Sequence, residues 1–215
     1  MHKLIIFDFD GTLADTRELI VKTNQEAQRA MGREPVSESV IQATIGLPLA
    51  EGIMSQMPDL TWDDMPEWCA TYRRIFDEIK TVYVPTLFPG VKETLEQLHR
   101  SGYVLSVASS RLSISLNAFL EQMGLAPLFT LVLGADNVSA AKPDPAPVLQ
   151  TMKELGFDPS ETLVVGDMPV DILMGARAGA KTCGVTIGNS TRKDLLAAGA
   201  DYVLDSFADL LGILS

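Results

Sequence analysis

Leu4, Ile5, Ile6 and Phe7 form an apolar run with no polar residue between them. A run of this kind predicts a strand buried on both faces, because a strand with one wet face would alternate. Asp8 and Asp10 close it, one on each side of Phe9, and Gly11 follows. From residue 85 onward two periodicities take turns. "GVKETLEQLHRSG", "SISLNAFLEQMG", "PAPVLQTMKELG", "PVDILMGARAG", "TRKDLLAAG" and "SFADLLGIL" carry helical spacing. Between them lie "YVLSVASS", "FTLVLGAD", "ETLVVGD", "AKTCGVTIG" and "DYVLD", which read as strands. Strands separated by helices of about ten to fifteen residues imply parallel pairing through right-handed crossovers. The pattern therefore predicts an α/β fold, a doubly wound parallel sheet with helices on both faces.

From about Thr16 to Val84 the pattern is different. "TRELIVKTNQEAQRAMG", "SESVIQATIG" and "PEWCATYRRIFDEIKTVY" all show helical spacing, and no strand is predicted among them. Residues 16–84 are thus expected to form a helical insertion, with residues 1–15 and 85–215 forming the α/β core. The joints fall around Leu13 to Thr16 and Val82 to Phe88, and Pro85, Pro89 and Gly90 mark the return. Hinges there would let the insertion move as a lid.

Composition narrows the possible partners. The 215 residues are 47% apolar and carry a formal charge of -11, which repels phosphate backbones and acidic membrane surfaces. Nucleic acid and membrane are not expected partners. The opening apolar stretch is too short and too acidic for a signal peptide, and no run reaches the roughly 18 residues of a membrane helix. A cytoplasmic protein, monomer or homodimer, is expected. Cys69 and Cys183 lie far apart with no C-x-x-C spacing, so neither a disulfide framework nor a zinc site is indicated. His2 and His99 read as ordinary surface residues.

In an open α/β sheet, ligands bind beyond the carboxyl ends of the strands. Polar residues collect at those ends here: Asp8 and Asp10, then Ser109 and Ser110, then Gly166 and Asp167, with Lys142 just after "FTLVLGAD". Carboxylates packed together raise one another's pKa unless a cation shares the site. Asp8, Asp10, Asp167 and Asp171 are hard oxygen donors, which suits Mg²⁺. A phosphate fits the remainder. Backbone N–H groups after Asp10 are expected to form an anion cradle, Thr12 and Ser109 to donate hydroxyl hydrogens, and Lys142 to balance the charge. A carboxylate nucleophile would split hydrolysis into two easier steps.

These residues resemble the motifs of the haloacid dehalogenase superfamily, almost from end to end. Its D-x-D-G-T motif stands as Asp8-Phe9-Asp10-Gly11-Thr12, its strand-closing Ser or Thr as Ser109, its lysine as Lys142 before Pro143, and its G-D-x-x-x-D as Gly166 to Asp171. The resemblance implies a Rossmann-like core, with Asp8 as nucleophile and Asp10 as acid and base. It also implies that Asp8, the Asp10 carbonyl and Asp167 hold Mg²⁺, with Asp171 a direct or outer ligand. Ser109, Ser110, Thr12 and Lys142 would bind phosphate. The insertion looks like the helical cap of the subgroup containing phosphoglycolate phosphatases, β-phosphoglucomutases and phosphonatases. Its "TIGLPL" loop, with Ile45, Gly46 and Leu47, resembles the segment such caps lower onto substrate. Arg17, Arg33, Arg73, Arg74 and Arg111 are candidates to meet an anionic leaving group. For the most part they read as solvated charges, with Arg17 favoured because it lies just past the first motif.

Rival readings fare worse. An EF-hand needs Gly and Glu where this chain has Leu13 and Leu19. "GARAGAKT" misses the P-loop by one residue, and it joins a helix to a strand when a P-loop requires the reverse order. A phospho-receiver signalling domain would have adjacent acids on its first strand and no helical insertion. Within the superfamily, Asp10 disfavours dehalogenases, the lack of a lysine between Lys22 and Lys80 disfavours phosphonatases, and Ile20 stands where β-phosphoglucomutases usually carry a histidine. The expected function is a phosphatase of small phosphorylated metabolites, with phosphoglycolate as the leading substrate. Sugar phosphates, pyrophosphate or mutase chemistry are the alternatives.

Overall fold

The computed structural model describes residues 3–214, so His2 lies outside them. Strand β1 (Leu4–Phe7) is buried throughout and pairs on both sides, in parallel, with β4 (Val104–Ala108) and β6 (Thr162–Gly166). β5 (Leu131–Leu133) extends the sheet beyond β4, and β7 (Lys181–Val185) and β8 (Tyr202–Leu204) extend it beyond β6. The six strands run in the order β5-β4-β1-β6-β7-β8. The chain starts at the centre, winds out to one edge and then returns to build the other side. The strand order therefore reverses beside β1, and a crevice opens at that point.

Alternate residues of β1 supply two cores. Ile5 and Phe7 face a layer built with Leu95 and Leu98 of α5 (Val91–Arg100), Leu116 and Phe119 of α6 (Ser113–Gln122), and Leu210 and Leu214 of a closing helix. Leu4 and Ile6 face Val148 and Met152 of α7 (Ala146–Leu155) and Met174 of α8 (Pro169–Arg177). Burying each such side chain contributes about 1.5–3 kcal/mol, which explains why the run carries no polar residue. Both cysteines are buried and free, and His99 is exposed.

Between β1 and α5 the chain forms α1 (Arg17–Ala30), α2 (Glu38–Gln42), α3 (Leu49–Gln56) and α4 (Met65–Ile79). Helix α3 was not expected from the sequence. Ile53, Met57, Met65, Trp68 and Cys69 make a separate small core there, while Leu19 and Phe76 reach into the main one. Two short strands, β2 (Ala14–Asp15) and β3 (Thr86–Leu87), pair antiparallel where the chain leaves the sheet and where it returns. No helix among the described residues is long and apolar enough to cross a membrane.

Candidate active site

The register of the central strands brings the polar residues together. Phe7 lies level with Val107 and Val165, and the Asp8 amide donates to the Val165 carbonyl at 2.9 Å. Ser109 and Asp167 each follow just past the ends of the flanking strands, on either side of the first acidic residue. Asp8 is only 4% exposed, and Lys142 is equally buried. The Lys142 ammonium donates to Asp8 Oδ1 at 2.5 Å and to Asp171 Oδ1 at 2.7 Å. Asp171 sits in the first turn of α8, where its second oxygen accepts the Met168 amide hydrogen at 3.1 Å.

Asp8, Asp167 and Asp171 each offer an oxygen within 4.8 Å of the others. Burial pushes the Asp8 carboxyl well above its ordinary range; Lys142 opposes the shift, and Asp171 and Asp167 add to it. Asp167 is pushed up to about 7, first by burial and then by Asp171. The Lys142 ammonium is disfavoured by burial, yet Asp171 and Asp8 outweigh that and hold its pKa above normal. One lysine among three buried carboxylates leaves negative charge in surplus. Hard oxygen donors of this kind suit a divalent cation such as Mg²⁺. A further sign lies beside Asp167: the Asn189 side-chain oxygen is buried with no hydrogen-bond partner. Such an acceptor is what a water bound to an ion would satisfy.

Asn189 was not singled out from the sequence. Its backbone and side-chain amides donate to Asp167 Oδ2 at 2.7 and 2.9 Å, while the Thr12 hydroxyl donates to Oδ1 at 3.1 Å. Asp167 is therefore clamped by two segments that come from the ends of different strands. Room for this clamp depends on glycine. Gly11 has φ +89°, and a Cβ there would strike Asn189 and the Asp167 carboxylate; a Cβ on Gly188 would strike Asp167 and the Gly11 carbonyl. A polar Gly-Asn pair beyond the strand next to β6 was the sequence signal available for this contact.

The loop after Asp10 departs from the expected anion cradle. The Gly11 amide donates to the Ala14 carbonyl, and those of Thr12, Leu13 and Ala14 donate to the Phe9 carbonyl. The turn closes on itself, and the Thr12 hydroxyl is taken up by Asp167. Ser109 is buried just past the end of β4; its oxygen accepts the Arg111 amide hydrogen at 3.2 Å, which leaves its own hydrogen free to donate. Ser110 behaves differently, donating to the Gly46 carbonyl at 2.6 Å and so tying the helical insertion to the sheet.

Arg111 also departs from its expected place. Its side chain is only 9% exposed and donates to both oxygens of Asp10, at 2.5 and 3.2 Å. The guanidinium carbon lies 5.1 Å from the ring centroids of Phe76 and of Phe119. Burial disfavours its charge, but Asp10 more than compensates. Arg17 does not line the cavity above Asp8 and Asp10, although Asp167 helps to hold its pKa up. It makes a two-pronged pair with Asp15, at 3.0 and 2.7 Å, and lines a different cavity with Lys22 and Glu38. Ile45, Gly46 and Leu47, in contrast, line a cavity of about 440 Å³ whose floor is Asp8 and Asp10.

The chain matches a family model described as haloacid dehalogenase-like hydrolase over residues 5–185. It is 41% identical to the probable phosphatase IndB of Dickeya dadantii, covering 99% of this chain and 93% of that one. It is 33% identical to a phosphoglycolate phosphatase of Vibrio parahaemolyticus, over 99% of this chain and 96% of the relative. A crystal structure described as a predicted phosphoglycolate phosphatase from Haemophilus somnus superposes with a TM-score of 0.90 at 29% identity, covering 100% of this chain and 98% of that one.

Proposed function

This chain belongs to the haloacid dehalogenase-like hydrolases and is a phosphatase of that family, and on that premise we propose that it dephosphorylates small phosphorylated metabolites through Asp8. The observation that carries the assignment is the buried Asp8 oxygen gripped by Lys142, with Asp167 and Asp171 alongside. Lys142 fixes one Asp8 oxygen and leaves the other to attack phosphorus. The ester oxygen leaves with a proton from Asp10, and the phosphoryl group stays on Asp8. Asp10 then takes a proton from water, the water oxygen attacks phosphorus, and the Asp8 carboxylate is restored with release of phosphate. Ser109 donates to the phosphoryl oxygens, and Lys142 balances their charge.

Asp8 and Asp167, with Asp171 directly or through water, are the residues that would hold Mg²⁺, together with the Asp10 carbonyl. Bound there, Mg²⁺ would offset the charge that builds on the phosphoryl oxygens. Residues 16–84 serve as a cap over the core formed by 1–15 and 85–215. The Ser110–Gly46 hydrogen bond and the cavity between the two parts support this division. Closure excludes water and leaves the choice of leaving group to the cap.

The test is a steady-state screen of phosphorylated metabolites with Mg²⁺, including phosphoglycolate, pyrophosphate and sugar phosphates, followed by acid-quench trapping of labelled enzyme. The expected result is phosphate release together with label on Asp8. Turnover with no label on Asp8 would overturn its role as nucleophile.

A further inference from the structure

The cavity above Asp8 and Asp10 is walled mainly by Ile20, Leu47, Leu49, Ile53, Tyr72 and Phe76. Several of the polar side chains set among them already have partners. The Thr44 hydroxyl donates to the Ile41 carbonyl and accepts from Gln56, whose own side-chain oxygen accepts from Gln28. The Asn24 amide donates back to the Ile20 carbonyl. Two arginines line the space. Arg111 is committed to both oxygens of Asp10 and packed against Phe76 and Phe119. Arg73 is exposed, and Asp77, which also lines the cavity, is paired with Lys80 at 2.6 Å.

An anionic group close to the scissile ester would have to draw Arg111 off a buried pair and leave Asp10 without its partner, a costly exchange. A polyol would have to bury hydroxyls against walls with few free partners, which is also unfavourable. An uncharged apolar body meets neither cost. A volume of about 440 Å³ lies within the usual range for small-molecule sites. We propose that the leaving group is an uncharged alcohol with an aliphatic or aromatic body, so that the substrates are phosphate monoesters of apolar alcohols. The inference rests on the phosphatase reading above. The reaction is simple hydrolysis: the oxygen–phosphorus bond breaks, water supplies the new phosphate oxygen and the proton the alcohol gains, and phosphate is released.

The experiment compares kcat/KM, with Mg²⁺, for three esters of primary alcohols: benzyl phosphate, glycerol 1-phosphate and phosphoglycolate. Benzyl phosphate is expected to exceed both others by at least about tenfold, the scale on which an apolar pocket discriminates. Equal or better turnover of phosphoglycolate or glycerol 1-phosphate overturns the inference and leaves the phosphatase reading standing. Hydrolysis of none of the three, nor of p-nitrophenyl phosphate, overturns both. Ile20→Asn should lower the benzyl-to-glycerol ratio by about tenfold. A loss shared equally by both esters would mark Ile20 as structural and overturn its place in the recognising wall.

Discussion

Arg111 reaches back along 101 residues of chain to hold both oxygens of Asp10 in a nearly buried, two-pronged ion pair. The pair fixes the orientation of the carboxylate proposed to handle the protons, and aromatic rings from α4 and α6 fix the arginine in turn. Replacing Arg111 by Met keeps an unbranched apolar stem but removes the guanidinium and leaves Asp10 free to rotate. The expected outcome is a fall in kcat of about 10²-fold for alkyl esters, the scale of a misplaced catalytic group, with a smaller fall for p-nitrophenyl phosphate. An unchanged ratio between the two substrates would show that Arg111 does not act through Asp10.

Asp8→Asn should abolish turnover with the fold retained, as judged by circular dichroism. Asp10→Asn should slow alkyl monoesters by roughly 10²- to 10⁴-fold. Single-turnover phosphorylation by esters with good leaving groups should suffer less, because those need little help from an acid. Equal losses across leaving groups would remove Asp10 from that role.

Asn189→Leu takes away the side-chain hydrogen bond to Asp167 and the unpartnered oxygen beside it, while the backbone amide bond to Asp167 remains. Outer contacts of this kind typically govern metal affinity by 10- to 100-fold. The concentration of Mg²⁺ giving half-maximal activity should rise by about that factor, with saturated kcat much less affected. Titration of activity against Mg²⁺ reads the change directly.

Without metal, the acidic cluster should make the protein sensitive to pH. The Asp167 carboxyl is pushed up to about 7 by burial and by Asp171, and Asp8 is also raised by burial. A carboxyl raised above its unfolded value of about 3.9 binds its proton more tightly in the native state. Its stabilising contribution is complete below pH 4 and is lost as pH rises through 7. In chelator, Tm should therefore fall between pH 5 and pH 8. Saturating Mg²⁺ should raise Tm by about 5 °C at pH 8 and by less at pH 5, where protons compete for the same oxygens. An equal gain at both values would place the ion elsewhere.

Ser110→Ala removes the 2.6 Å hydrogen bond to Gly46. A neutral hydrogen bond contributes about 0.5–1.5 kcal/mol, so KM should rise by up to about tenfold while kcat changes little. A fall in kcat without a change in KM would instead mark Ser110 as a group touching the phosphoryl oxygens.

Much of the core was legible because its strands are short apolar runs and its helices amphipathic; β1 is the clearest case, since a strand buried on both faces permits no polar residue. β2 and β3 left no such trace. Each is only two residues long, and what defines it is its partner some 70 positions away, a relation that periodicity does not encode. α3 escaped because Leu47, Pro48 and Leu49 read as a continuation of the loop. At the site, Asp8 and Asp167 could be found because each directly follows a strand, and Lys142 because it stands before a proline in the loop that leads from β5 to α7. Asn189 occupies a similar place but carries no charge, so nothing in its type drew notice. Arg111 and Arg17 show the opposite error. Nearness to Asp10 in sequence favoured Arg17, yet Asp15 pairs with it beside a second cavity, while the arginine reading as solvated is the one buried beside Asp10.

The two-rung ribbon of β2 and β3 makes the chain depart from the sheet and re-enter it side by side, with Asp15 opposite Thr86. Everything between those residues hangs from adjacent threads, like a pendant on a loop of cord. Such a module is exchangeable: another helical segment spliced at that junction would leave the hydrogen-bond ladder of the six parallel strands untouched, and with it the strand ends that carry Asp8 and Asp167, while Asp10 would need a new support for Arg111 in place of Phe76.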